Sequence, residues 1–76
     1  MEHYERARIA ALVRHDDELR LLWREHQDLE SRLDELNGVA HPSPAEQLER
    51  KQVQKRKLAG KDRIARILAE HDSAER

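Results

Sequence analysis

The sequence predicts an all-α fold: an antiparallel two-helix hairpin of coiled-coil character, able to dimerise into a four-helix bundle. Three observations predict it. The helix breakers Gly38, Pro42 and Pro44 crowd into one short stretch between two long segments that show no strand-like alternation. Leucines of the first segment recur at heptad-like steps. Acidic residues stand four positions before basic ones, the order that favours a helix.

The chain is 76 residues long, enough for one small domain. Charged residues make up 41% and hydrophobic residues 37%, with one Trp, one Tyr and no Phe. So little apolar mass needs a staple or a partner to hold a fold. There is no Cys, which excludes a disulfide, a thiolate metal site and a redox pair. The net charge of -1 gives no general pull toward nucleic acid or membrane. The longest unbroken apolar run, Ile9 to Val13, has five residues, against roughly 18 needed to span a bilayer. No signal-peptide run opens the chain, so a cytoplasmic location is expected.

The first helix is expected over about residues 3–37. Leu12, Leu19, Leu22, Leu29, Leu33 and Leu36 follow one another at steps of seven, three, seven, four and three, with His15 and His26 filling the remaining stripe positions and Trp23 at its border. Asn37-Gly38 supplies the stop, because glycine tolerates the left-handed conformation that often ends a helix. A loop over about 38–43 follows. The second helix is expected over about 44–70, opened by an Ser43 N-cap, Pro44 in the first turn and Glu46 completing a capping box. Its apolar face collects Val53, Ile64, Ile67 and Leu68, flanked by Leu58 and Ala65, and residues 71–76 are expected to fray. Glu2/Arg6, Asp16/Arg20, Asp28/Arg32, Glu46/Arg50 and Asp62/Arg66 are the expected same-helix ion pairs.

Folding one helix back on the other pairs Leu36 with Ala45, so facing residue numbers total about 81. The expected seam is Leu12, Leu19, Leu22, Trp23, His26, Leu29, Leu33, Leu36, Val53, Gly60, Ile64 and Leu68. Trp23 arrives within a turn of Gly60, and a bulky indole gives a reason for a mid-helix glycine that costs roughly 1 kcal/mol relative to alanine. The charges divide. Residues 3–37 hold nine acids and six bases; residues 48–68 hold eight bases and two acids. Such opposed helices set register more than they add stability.

Two stretches resemble a known family. Leu19-Arg20-Leu21-Leu22-Trp23-Arg24-Glu25-His26-Gln27-Asp28-Leu29, with Leu33 following, is similar to the first-helix motif of the small YdcH-like bacterial proteins. Lys57, Leu58, Lys61, Asp62 and Ile64 resemble the family's second, basic motif. The resemblance runs roughly from Leu12 to Leu68 and implies a helical hairpin of a domain of unknown function, with no established catalytic residues. Gly60 departs from the family pattern, which tends to place an apolar residue there.

The candidate chemistry is sparse. His26, between Leu22 and Leu29, reads first as a seam residue that fixes register, and second as a ligand or proton acceptor. If buried neutral, it makes pairing sensitive to acid. His3, His15, His26, His41 and His71 include no i, i+4 pair, and no metal or cofactor is expected. Asp16-Asp17-Glu18 points in three directions around a helix and reads as a solvated face. No phosphate loop or nucleophile context marks an enzyme, and none is expected. Arg50, Lys51, Lys55, Arg56, Lys57 and Lys61 form a basic surface that could track phosphates. Ile9, Val13, Leu21, Leu48 and Leu58 lie off or at the margin of the main stripes, a surplus that a second copy or a partner helix would cover, with Leu21 and Leu58 as the candidate intermolecular contacts. The expectation is therefore a protein–protein interaction module that homodimerises; the alternative is a nucleic-acid-associated protein using the basic helix.

Overall fold

A computed structural model describes residues 3–74 of the chain. It contains three helices, α1 (His3–Leu12), α2 (Asp17–Asn37) and α3 (Pro44–Ala74). The fold is all-α, as expected, but the two-helix count is corrected: the first expected helix is broken at residues 13–16.

The break has a local cause. Asp16 is extended, at φ -136° and ψ 104°, and its Oδ1 accepts the Leu19 N–H at 2.9 Å. Aspartate is among the strongest N-caps, and Asp17 and Glu18 complement the positive end of the helix dipole in the first turn. The three acids read as a solvated face are therefore a helix start. Before them α1 runs out through hydrogen bonds from Val13 N to Ile9 O and from His15 N to Leu12 O.

The second helix begins where its capping box puts it. Glu46 N donates to Ser43 Oγ at 3.1 Å and Ser43 N donates to Glu46 Oε1 at 3.0 Å. It continues through Ala74, beyond the expected end near residue 70. Gly38 closes α2 in the right-handed region, φ -80°, with its N–H shared between Asp34 O and Glu35 O, so the left-handed stop expected there does not form.

α2 and α3 pack side by side, and α1 folds back beside them, in a particle of 50 × 19 × 17 Å. Two apolar clusters line the seam. Leu29, Leu33, Leu36 and Val53 fill the end nearest the loop. Ile9, Leu19, Ile64 and Ile67 fill the other, with Leu12, Val13, Leu22, Trp23 and Leu68 packed on them. Ile9, read as surplus surface, is fully buried. The break explains why: the turn at 13–16 frees α1 to lay Ile9 over α2 and α3, which a continuous helix could not do. The expected ion pairs shift too. Among the described residues Asp28/Arg32, Glu46/Arg50 and Asp62/Arg66 do not close, Asp16 is spent on the cap, and Arg20 bonds Asp17 instead; Glu2/Arg6 lies outside the described residues.

Candidate functional site

What the helices position is a seam with two unlike edges. On the first edge, Arg63 Nε donates to Glu18 at 2.8 Å, Arg56 to Glu25 at 3.0 Å, and Arg32 Nε to Glu49 at 2.7 Å. The acceptors and donors step by seven along each helix, and the numbers of each pair total 81, the register expected from the sequence. Seven residues return a side chain to nearly the same side of a helix, which is why the three bridges line up. Each is solvent-exposed and screened by water, so together they fix register rather than supply stability. Arg32 also bonds Glu35 at 2.9 Å.

The second edge is organised around His26. Its side chain is 2% exposed, the only buried polar residue among the described ones. The ring stacks on Trp23 with centroids 5.5 Å apart and planes 14° apart. Nε2 lies 3.1 Å from Glu30 Oε1, and Lys57 Nζ reaches the same oxygen at 3.5 Å. Nδ1 is buried without a hydrogen-bond partner. Burial pushes the His26 pKa below its ordinary 6.5, only partly opposed by Glu30. For Glu30, burial acts upward, but His26 and Lys57 together outweigh it and hold the carboxyl below its ordinary 4.5. With Nε2–H donated to Glu30, the neutral ring leaves only an acceptor unmet; protonation would add a buried N–H with no acceptor.

The seam residues read from the sequence divide as follows. Leu19, Leu29, Leu33, Leu36, Val53, Ile64 and His26 are buried, and Leu12, Leu22, Trp23 and Leu68 are partly buried against them. Gly60 receives no indole: a Cβ built there would meet nothing within 4 Å. The expected exchange of bulk with Trp23 is corrected, because the indole lies over His26 on its own helix. Leu21, Leu48 and Leu58 are 64%, 58% and 63% exposed. Of the basic surface, Arg56 and Lys57 are bridged to α2, while Arg50, Lys51, Lys55 and Lys61 enter no ion pair among the described residues. No trio of described His, Asp or Glu residues could hold a metal ion. No helix of the described residues is long and apolar enough to cross a membrane.

The sequence reasoning missed Ile9, Asp16 and His71. Asp16 Oδ2 meets His71 Nε2 at 2.9 Å, tying the start of α2 to the last turns of α3, and Arg8 of α1 pairs with Asp72. An aspartate followed by two more acids and then an apolar run was the signal for the cap.

Fold and site together define an all-α chain whose distinctive surface is a helix seam. The chain belongs to the family described as protein of unknown function DUF465, whose model matches residues 19–68. Both motifs that resemble the YdcH-like proteins fall within that match; α1 falls outside it. No curated protein and no solved structure matches the chain.

Proposed function

We propose that this protein is a non-enzymatic helical interaction module that self-associates through helix pairing. The observation that carries the reading is the exposure of Leu21, Leu48 and Leu58, each more than half open to solvent, on a fold only about 19 Å across. α1 covers only one end of the α2–α3 seam, and these three leucines need another copy or another helix to leave water. Opposite charge supports pairing between copies: Arg50, Lys51, Lys55, Lys61 and Arg66 on α3, and Asp28 and Asp34 on α2, have no ion partner within the chain among the described residues. Thermal unfolding at chain concentrations spread over about a hundredfold tests the reading, since a self-associating fold melts higher when concentrated. A melting point that does not move with concentration counts against it.

A second reading keeps one observation in its favour. Arg50, Lys51, Lys55 and Lys61 of α3 enter no ion pair among the described residues, and such cations could meet a phosphate backbone. Binding that falls steeply with added salt in a gel shift supports nucleic-acid association; no binding at low salt ends it.

A further inference from the structure

The two connections of the fold are built differently. Residues 38–43 hold Gly38, Pro42 and Ser43, which turn a chain or cap a helix. Residues 13–16, Val13-Arg14-His15-Asp16, hold no glycine, proline or asparagine, and only the Asp16 cap marks the turn. Leu12 and His15 also keep the heptad spacing that Leu19 and Leu22 continue, so this stretch suits a helix as well as a turn. What holds α1 against the molecule is side-chain contact. Ile9 is fully buried in a cluster with Leu19, Ile64 and Ile67, and Arg8 pairs with Asp72. A groove still opens between Glu5 and Arg8 on one wall and Lys61, Ala65 and Leu68 on the other, so α1 is not sealed against α3 along its length. Within one chain, these contacts and a helix through 13–16 exclude each other. In a continuous helix Ile9 and Leu19 stand ten residues apart, about 15 Å along the axis, and their side chains cannot meet.

We infer that two copies of this chain exchange α1. In the exchanged dimer residues 13–16 straighten, α1 and α2 run as one helix, and Ile9 of each copy enters the Leu19–Ile64–Ile67 site of the other. The inference rests on the self-association reading and adds the segment that passes between copies. α1 has ten residues, too few for a stable helix in water, so it needs either its own seam or an identical one. The second copy offers the identical one. The apolar site for Ile9 and the Asp72 carboxylate for Arg8 are the same on either copy, so exchange sacrifices neither contact. No further helix has to be laid over the face that α1 covers. Only the connection changes: straightening completes the helical hydrogen bonding that the turn interrupts and gives up the cap that Asp16 makes with the Leu19 N–H. Mass action selects the form, closed when dilute and exchanged when concentrated.

The chain has no cysteine, so introduced thiols report only the contact under test. Copies carrying Arg8→Cys are unfolded, mixed with copies carrying Asp72→Cys and a longer tag, refolded together at high concentration and treated with a short bis-maleimide. Exchange predicts the mixed covalent dimer as the main product. The double variant Arg8→Cys/Asp72→Cys should also give a covalent dimer there, and a cross-linked monomer when refolded and treated about a hundredfold more dilute. A third variant keeps Arg8 and Asp72. Arg14→Gly/His15→Gly disfavours a helix through the hinge and should weaken dimerisation by about tenfold or more in sedimentation equilibrium, with the helical circular dichroism of the monomer unchanged. If the wild type dimerises but the double variant closes only within each chain, exchange is overturned and self-association stands. A glycine variant that dimerises as tightly as the wild type has the same consequence. A wild-type chain that is monomeric at every concentration overturns the inference and the reading beneath it.

Discussion

Asp16 bonds His71 across 55 residues of sequence with one carboxylate oxygen while its other oxygen caps α2. A single side chain thus starts α2 and fastens the far end of α3 to it. The capping hydrogen bond from Leu19, followed by the contact with His71, holds this carboxyl below its ordinary 3.8.

Replacing Asp16 separates these roles. Asp16→Ala removes cap and tie together and should lower stability by about 1–2 kcal/mol in a urea melt. Asp16→Asn keeps an acceptor for the cap and loses only the charge, so its cost should be clearly smaller. Equal costs would show that the cap contributes nothing beyond the contact with His71.

Ile9 tests whether α1 is part of the core. It is fully buried against Leu19, Ile64 and Ile67, so Ile9→Ala should cost about 2–4 kcal/mol. Leu21→Ala, at an exposed position, should change monomer stability by less than about 0.5 kcal/mol. If the two variants unfold alike, α1 does not pack as described.

The pH dependence follows from His26. Its pKa is depressed in the folded state, so the stability it contributes is fully present above 6.5 and is lost as pH falls from there toward the lowered value. Glu30 on its own helix and Lys57 and Lys61 on α3 are the charged groups that face it. The Glu30 carboxyl, also depressed, adds further loss only below 4.5. Melting temperature should therefore drop between about pH 7.5 and 5.5 in the wild type and stay nearly level in His26→Leu. A wild-type melt that is flat over that range contradicts the burial of a neutral ring.

Gly60→Ala should raise stability by about 0.5–1 kcal/mol, because a methyl group there meets nothing and alanine is the better helix former. Destabilisation in chemical melts would restore the close approach of Trp23.

Much of the hairpin was legible because its signals are local. The Ser43–Glu46 box marked the start of α3, and opposed charges with a fixed total of residue numbers gave the register seen in Glu18–Arg63, Glu25–Arg56 and Arg32–Glu49. The break at Asp16 was hidden by periodicity: Leu12 and His15 continue the heptad count of α2 without belonging to it. Ile9 was misplaced for the same reason, since its face has meaning only once α1 turns back. The burial of His26 was readable from its place in the stripe, but its stacking on Trp23 was not. Spacing of three brings two rings to one side of a helix, and packing then decides whether the indole covers the imidazole or crosses to Gly60.

The account depends most on copies of the chain meeting through helix faces. Sedimentation equilibrium of the full chain between about 1 and 100 μM tests that directly. The expected result is a mass rising from that of the 9.0 kDa chain to twice it as concentration increases, at neutral pH and moderate salt. A single species at 9.0 kDa across the whole range would contradict it.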